Sequence, residues 1–159
     1  MASDLFIKIG TYKGESSDKT HKDEIDVLSW SWGVNQVGTM GHGGGGGAGK
    51  ASFHDLSFTH NVDAASPNLL YACASGEHIK DAKMTVRKAG KTQQEFLVIK
   101  MSDVLITSVS PAGHDGAQTS ESVSLQFSKV ELEYKAQKPD GSLDSGIQFK
   151  WDIKQNVKI

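Results

Sequence analysis

The 159-residue chain has little of what most function classes require. It contains one cysteine, Cys73, so no internal disulfide can form. The residue reads as a small buried hydrophobe rather than a reactive thiol. Seventeen basic side chains face nineteen acidic ones, and this balance lacks the basic excess of a nucleic-acid footprint. The longest apolar run is far too short for membrane insertion as a spanning helix. The opening MASDLFIKIG has no basic stretch followed by an apolar one, so no secretory signal peptide is read there. The six histidines are His21, His42, His54, His60, His78 and His114. They form neither H-E-x-x-H nor a close Cys/His cluster, so no metal site is expected. His54 and His60 read as surface or edge residues. No G-x-S-x-G is present, and the lone cysteine has no recognisable histidine partner. The expectation is therefore no catalytic residue, no cofactor and no enzyme.

What is present is strand pattern. Leu5, Ile7 and Ile9 alternate with Phe6 and Lys8. Thr11–Lys22 is polar and reads as a loop. In Ile25–Gln36, side-chain alternation puts Leu28, Trp30, Trp32 and Val34 on one face. Val27, Ser29, Ser31 and Gly33 fall on the other. A second strand, Ser52–His60, places Leu56 and Phe58 together. Ala82, Met84 and Val86 alternate in a third segment. Phe96, Leu97, Val98, Ile99 and Met101 are apolar on both faces, which implies a central strand or a subunit interface. Val104–Val109 continues this pattern up to Pro111–Gly113. Val123, Leu125 and Phe127 occupy odd positions, and Val130, Leu132 and Tyr134 even ones, so a β-bulge is expected near Ser128–Lys129. Pro139–Asp140–Gly141 supplies a turn, and Ile147, Phe149, Trp151 and Ile153 close the pattern. One helix of about nine residues is expected, with Ser66 as N-cap, Pro67 in its first turn and Gly76 past its end. Leu69, Leu70 and Cys73 would form its apolar face. Together these elements predict a mainly β fold: an antiparallel two-sheet β-barrel or sandwich with one short flanking α-helix, in a single domain.

Between the second and third of these strand patterns lies a glycine tract. Seven of the nine residues Gly41, His42, Gly43, Gly44, Gly45, Gly46, Gly47, Ala48 and Gly49 are glycine, so no packed element can form there. Gly44, Gly49 and Lys50 nearly match the phosphate-binding G-x-x-x-x-G-K. Ala51 stands where a magnesium-binding hydroxyl belongs, and strand pattern follows where a helix is needed. The tract reads instead as a long loop with a role in contacts.

The chain resembles the Hcp family (haemolysin co-regulated protein) of bacterial type VI secretion. The motifs that carry the resemblance are DLFIKIG, KGESSDKTHKDEIDVLSWSWG, the glycine tract with DLSFTH, SPNLLYACASGEHI, QEFLVIKM, ITSVSPAG and FKWDIKQN. They occur in that order over nearly the whole of residues 1–159. The resemblance implies a structural tube subunit. Homohexameric rings would stack into an inner tube capped by the VgrG spike and propelled by a contractile sheath. Small effector proteins would ride in the lumen. The protein would reside in the bacterial cytoplasm before firing and be secreted by it. Ser29 and Ser31 become candidate lumen-facing residues and Gly41–Gly49 a candidate ring-stacking loop. The residues by themselves also fit a soluble β-sandwich binding module that uses the glycine loop for a ligand or protein. Oligomeric state separates the two readings.

Overall fold

The computed structural model describes residues 3–38, 49–89 and 93–159. The described elements are β1 (Ser3–Ile9), β2 (Ile25–Asp26), β3 (Ser29–Ser31), β4 (Val34–Asn35), β5 (Ser52–Phe53) and β6 (Leu56–Asn61). After these come α1 (Ser66–Ser75), β7 (His78–Lys88), β8 (Gln94–Ala112), β9 (Ser120–Tyr134), β10 (Ile147–Asp152) and β11 (Val157–Lys158). All described strand pairings are antiparallel.

The long β8–β9 hairpin organises the fold. Its tip half pairs with β6, and β6 with β3. Its base half lies between β7 and β10, and β7 leads on to β1 and β2. The hairpin thus belongs to two sheet regions that enclose one core. Between β2 and β3 the chain steps from one region to the other: Val27 N–H donates to Leu5 O, and Leu28 N–H to Thr59 O. The ladders here are only two and three residues long, so the arrangement is sandwich-like rather than a closed barrel.

That step corrects the expected parity of Ile25–Gln36. Ile25 and Val27 point into the core, and two residues later the phase reverses so that Trp30 and Trp32 point inward. Leu28 and Val34 are exposed, not members of the tryptophan face. Ser52–His60 is likewise two strands, β5 and β6, rather than one. The phase change near Ser128 is present, but it is not a bulge. Ser102 stays opposite Lys129 and Val104 opposite Phe127, so the register is kept and both strands switch faces together. Asp103, at φ 55°, absorbs the kink. The β8–β9 register shift lies between Ile106 and Ser108. Pro111 is tolerated because β7 extends only as far as Leu105, leaving that side of β8 without a ladder partner.

Ile7, Ile9, Leu56, Phe58, Met84, Ile99 and Leu125 form the middle of the core. Each such burial contributes about 1.5–3 kcal/mol. Helix α1 starts one residue earlier than expected. Ala65 is its N-cap, while Ser66 Oγ accepts from the Asp63 N–H outside the helix. Leu69 and Ala72 are buried and Leu70 is exposed. Gly76 takes the left-handed conformation that lets its N–H reach Cys73 O and the Glu77 N–H reach Ala72 O, ending the helix.

Candidate functional site

The outer face of the β3–β6–β9–β8 region is built from hydroxyls. Strand register aligns Ser29 with Thr59, Thr59 with Ser122 and Ser122 with Ser110. One step along the strands, Ser31 aligns with Ser57, Ser57 with Ser124 and Ser124 with Ser108. Between the two rows, Trp30, Phe58, Val123 and Val109 point the other way, into or against the core. The alternation that buries these four side chains is what turns eight serines and threonines outward.

Hydroxyl chemistry sets what this face can do. Ser29 Oγ lies 2.6 Å from Thr59 Oγ1, and Ser57 Oγ lies 2.9 Å from Ser124 Oγ. A hydroxyl donates and accepts equally well, so neighbours satisfy one another and remain able to exchange bonds with a visitor. No member of the grid is charged. A carboxylate stands only at its margin, where Thr107 Oγ1 donates to Asp55 Oδ2 at 2.6 Å. Such a surface holds a protein weakly and without ionic steering.

Beneath the grid, His60 Nε2 sits 2.8 Å from Glu121 Oε1 and His60 Nδ1 3.6 Å from Asp63 Oδ2. Burial alone would push the imidazole pKa down. The Asp63 and Glu121 carboxylates outweigh it and hold the pKa above its usual value. The expectation of a surface or edge His60 is therefore corrected, because β6 alternation carries it inward with Leu56 and Phe58. His54 is exposed. His21, in the polar stretch read as loop, is buried too. It stacks 4.5 Å from Phe6 and bridges Glu24 at 2.8 Å and Glu95 at 2.6 Å.

The other expected sites are placed unevenly. Of the glycine tract, Gly41, His42, Gly43, Gly44, Gly45, Gly46, Gly47 and Ala48 lie outside the described residues. Gly49 is described, and the tract is flanked by the β4–β5 ladder, with Val34 opposite Phe53. Lys50 and Ala51 lead into β5, so the segment after the P-loop-like stretch is a strand. Among the candidate interface residues, Ile99 and Met101 are corrected: both are spent on the subunit's own core. Leu97, two residues from Ile99, is half-buried, Phe96 carries the Lys88 ammonium 5.5 Å from its ring centroid, and Val98 lines an outer groove.

Ser57, Thr59, Ser108, Ser110, Ser122 and Ser124 escaped the sequence reading. The signal was available: S-x-S or S-x-T recurs at 29–31, 57–59, 108–110 and 122–124 with an apolar residue in each middle position. Only pairing reveals that the four copies are adjacent.

Comparisons with known proteins agree with the family resemblance carried by the sequence motifs. The family model described as "Type VI secretion system effector, Hcp" matches residues 6–134. The protein called hcp1 of Pseudomonas aeruginosa is 53% identical, with 99% of each chain covered. The Hcp1 structure from Salmonella typhimurium is similar at a TM-score of 0.81 and 38% identity, with all of both chains covered. A type VI secretion effector structure from Yersinia pestis gives 0.78 and 39%, covering 94% of this chain and 99% of that one. The chain belongs to the Hcp family, the secreted tube proteins of the type VI secretion system.

Proposed function

We propose that six copies of this chain close into a ring with the hydroxyl face turned to its central channel. Stacked rings form the inner tube, and small effector proteins travel inside it against Ser29, Ser31 and the six hydroxyls aligned with them. The observation that carries this reading is the eight-residue grid itself: one uncharged, small-residue face on an otherwise charged molecule. Such a wall allows a folded passenger to bind and slide, because no single contact is strong. The chain is a structural carrier, not an enzyme. It assembles in the bacterial cytoplasm and leaves the cell with the tube, beneath the VgrG spike and within the contractile sheath. Gly41–Gly49 would meet the neighbouring ring, since a tract so rich in glycine gains little by packing on its own subunit.

Size-exclusion chromatography with light scattering tests the ring: a hexamer is expected, and a monomer at micromolar concentration overturns it. Ser31→Gln tests the wall. The ring should persist, because the Trp30 and Trp32 side of the strand is untouched, while effector co-purification should fall. Retention at wild-type level would place Ser31 away from the cargo.

A further inference from the structure

The outer face of the other sheet region carries a row of charge that the subunit itself offsets only in part. Lys8 on β1 lies opposite Lys83 on β7, and Lys83 opposite Lys100 on β8. Lys100 lies opposite Glu131 on β9, and Glu131 opposite Lys150 on β10. Their strand neighbours Ile7, Ile9, Met84, Ile99, Met101 and Val130 fill the core, so all five point outward. Read across the sheet, the row is base, base, base, acid, base. Like charges directly opposite each other destabilise a sheet, and here two consecutive pairs are lysine on lysine. Among the described residues, none of the four lysines forms an ion pair. The nearby carboxylates offset this only in part: Glu133, which accepts from Gln148 at 2.9 Å, feels the Lys100 and Lys150 charges without bonding to them, and Glu95 lies 2.6 Å from His21 Nε2. The middle of the row borders a shallow groove of about 200 Å³ lined by Lys83, Val98, Lys100, Glu131 and Lys150. A local rule broken with only partial internal compensation, as in the run Lys8, Lys83 and Lys100, marks a surface kept for something outside the subunit.

We propose that this row docks an α-helix of a partner protein that presents acid, acid, acid, base, acid at successive turns. Spacing selects the helix. The row steps by about 4.8 Å per strand, and a helix presents one face every 5.4 Å. The mismatch accumulates to only about 2–3 Å over four steps, within reach of a lysine stem. An extended peptide presents a face every ~6.7 Å and would fall out of step by ~8 Å. A nucleic-acid backbone is uniformly anionic and would meet Glu131 with like charge. A second copy of this chain supplies no match from its described helix, since α1 carries no charged residue. The proposal rests on the sheet alone and is independent of what the hydroxyl face holds.

The probe is a fluorescent, helix-stabilised peptide with glutamate at turns one, two, three and five and arginine at turn four, titrated by anisotropy against the assembled wild-type protein at low salt. A second peptide moves the arginine to turn three, a pattern that reads the same in either direction along the row. The first should bind about tenfold more tightly than the second, because two like-charge juxtapositions replace two attractive ones. The double variant Lys83→Glu/Lys100→Glu should lose the preference, while Lys138→Glu, in a turn away from the row, should keep it. The single variant Lys83→Glu, which replaces two repulsive pairs by attractive ones, should melt no lower than wild type. Equal binding of the two peptides, or an unchanged preference in the double variant, overturns the proposal. So does dissociation of the ring in Lys83→Glu, which would place the row between subunits.

Discussion

His60 Nε2 lies 2.8 Å from Glu121 Oε1, and both side chains are completely shielded from solvent. The pair joins β6 to β9 directly below the hydroxyl grid, with the Asp63 carboxylate on the imidazole's other side. A buried charge is tolerable only with its partner in place.

Glu121→Ala should therefore cost about 3–5 kcal/mol, the usual penalty for leaving one member of a buried pair alone. Urea unfolding followed by tryptophan fluorescence would measure it. A loss below about 1 kcal/mol would mean the pair is not charged in the folded state.

The same pair predicts a pH dependence. The folded pKa of His60 is raised above the ordinary value of 6.5 by Asp63 and Glu121, against the opposing effect of burial. The protonated form is thus favoured by folding. Its contribution is fully present below about pH 6.5 and is lost as pH rises through the folded value. The gap in melting temperature between wild type and His60→Gln should be widest near pH 6 and narrow toward alkaline pH. A gap that widens with pH would reverse the assignment.

Arg87 anchors the polar segment between β1 and β2. Its guanidinium donates to Asp18 Oδ1 at 2.7 Å and Oδ2 at 3.0 Å, and to Asp4 at 3.1 Å, while standing 4.9 Å from the Phe6 ring centroid. These hydrogen bonds hold the Asp18 carboxyl well below the usual carboxylate range. The clamp is therefore intact above about pH 4 and fails as pH falls through that depressed value. Arg87→Lys keeps the charge but loses the bidentate fork. It should speed proteolysis within residues 11–24 severalfold, read by mass spectrometry of the first cleavage products.

Gly14 is locked by backbone rather than by side chains. A Cβ placed there would sit 2.6 Å from Glu24 O. Gly14→Ala should destabilise by about 1–3 kcal/mol through forced backbone displacement. Gly38→Ala, where a Cβ meets nothing within 4 Å among the described residues, should lie within about 0.5 kcal/mol of wild type.

Met101 and Val98 separate core from surface on a single strand. Met101→Ala should cost about 2–5 kcal/mol, because the side chain is buried in a filled core. Val98, half-exposed beside the lysine row, should cost much less on truncation. Equal losses in thermal melts would contradict the inward assignment of Met101.

The sequence by itself determined the class of fold and the family. Period-two alternation in β1, β6, β7 and β9 is written locally, because each strand must turn every second residue to the core. The helix ending at Gly76 and the turn at Pro139–Asp140–Gly141 are equally local. Tertiary structure alone decided the parity of Leu28 and the depth of His60. It also decided the joint switch of β8 and β9 at Asp103 and Ser128, since each depends on which strand lies alongside. A one-residue change of phase exchanges the two faces of a strand, and nothing within Val27–Leu28 records that the chain changes neighbours there. The hydroxyl grid and the lysine row have the same origin. Their members are separated in sequence by tens of residues, and only antiparallel register brings them side by side.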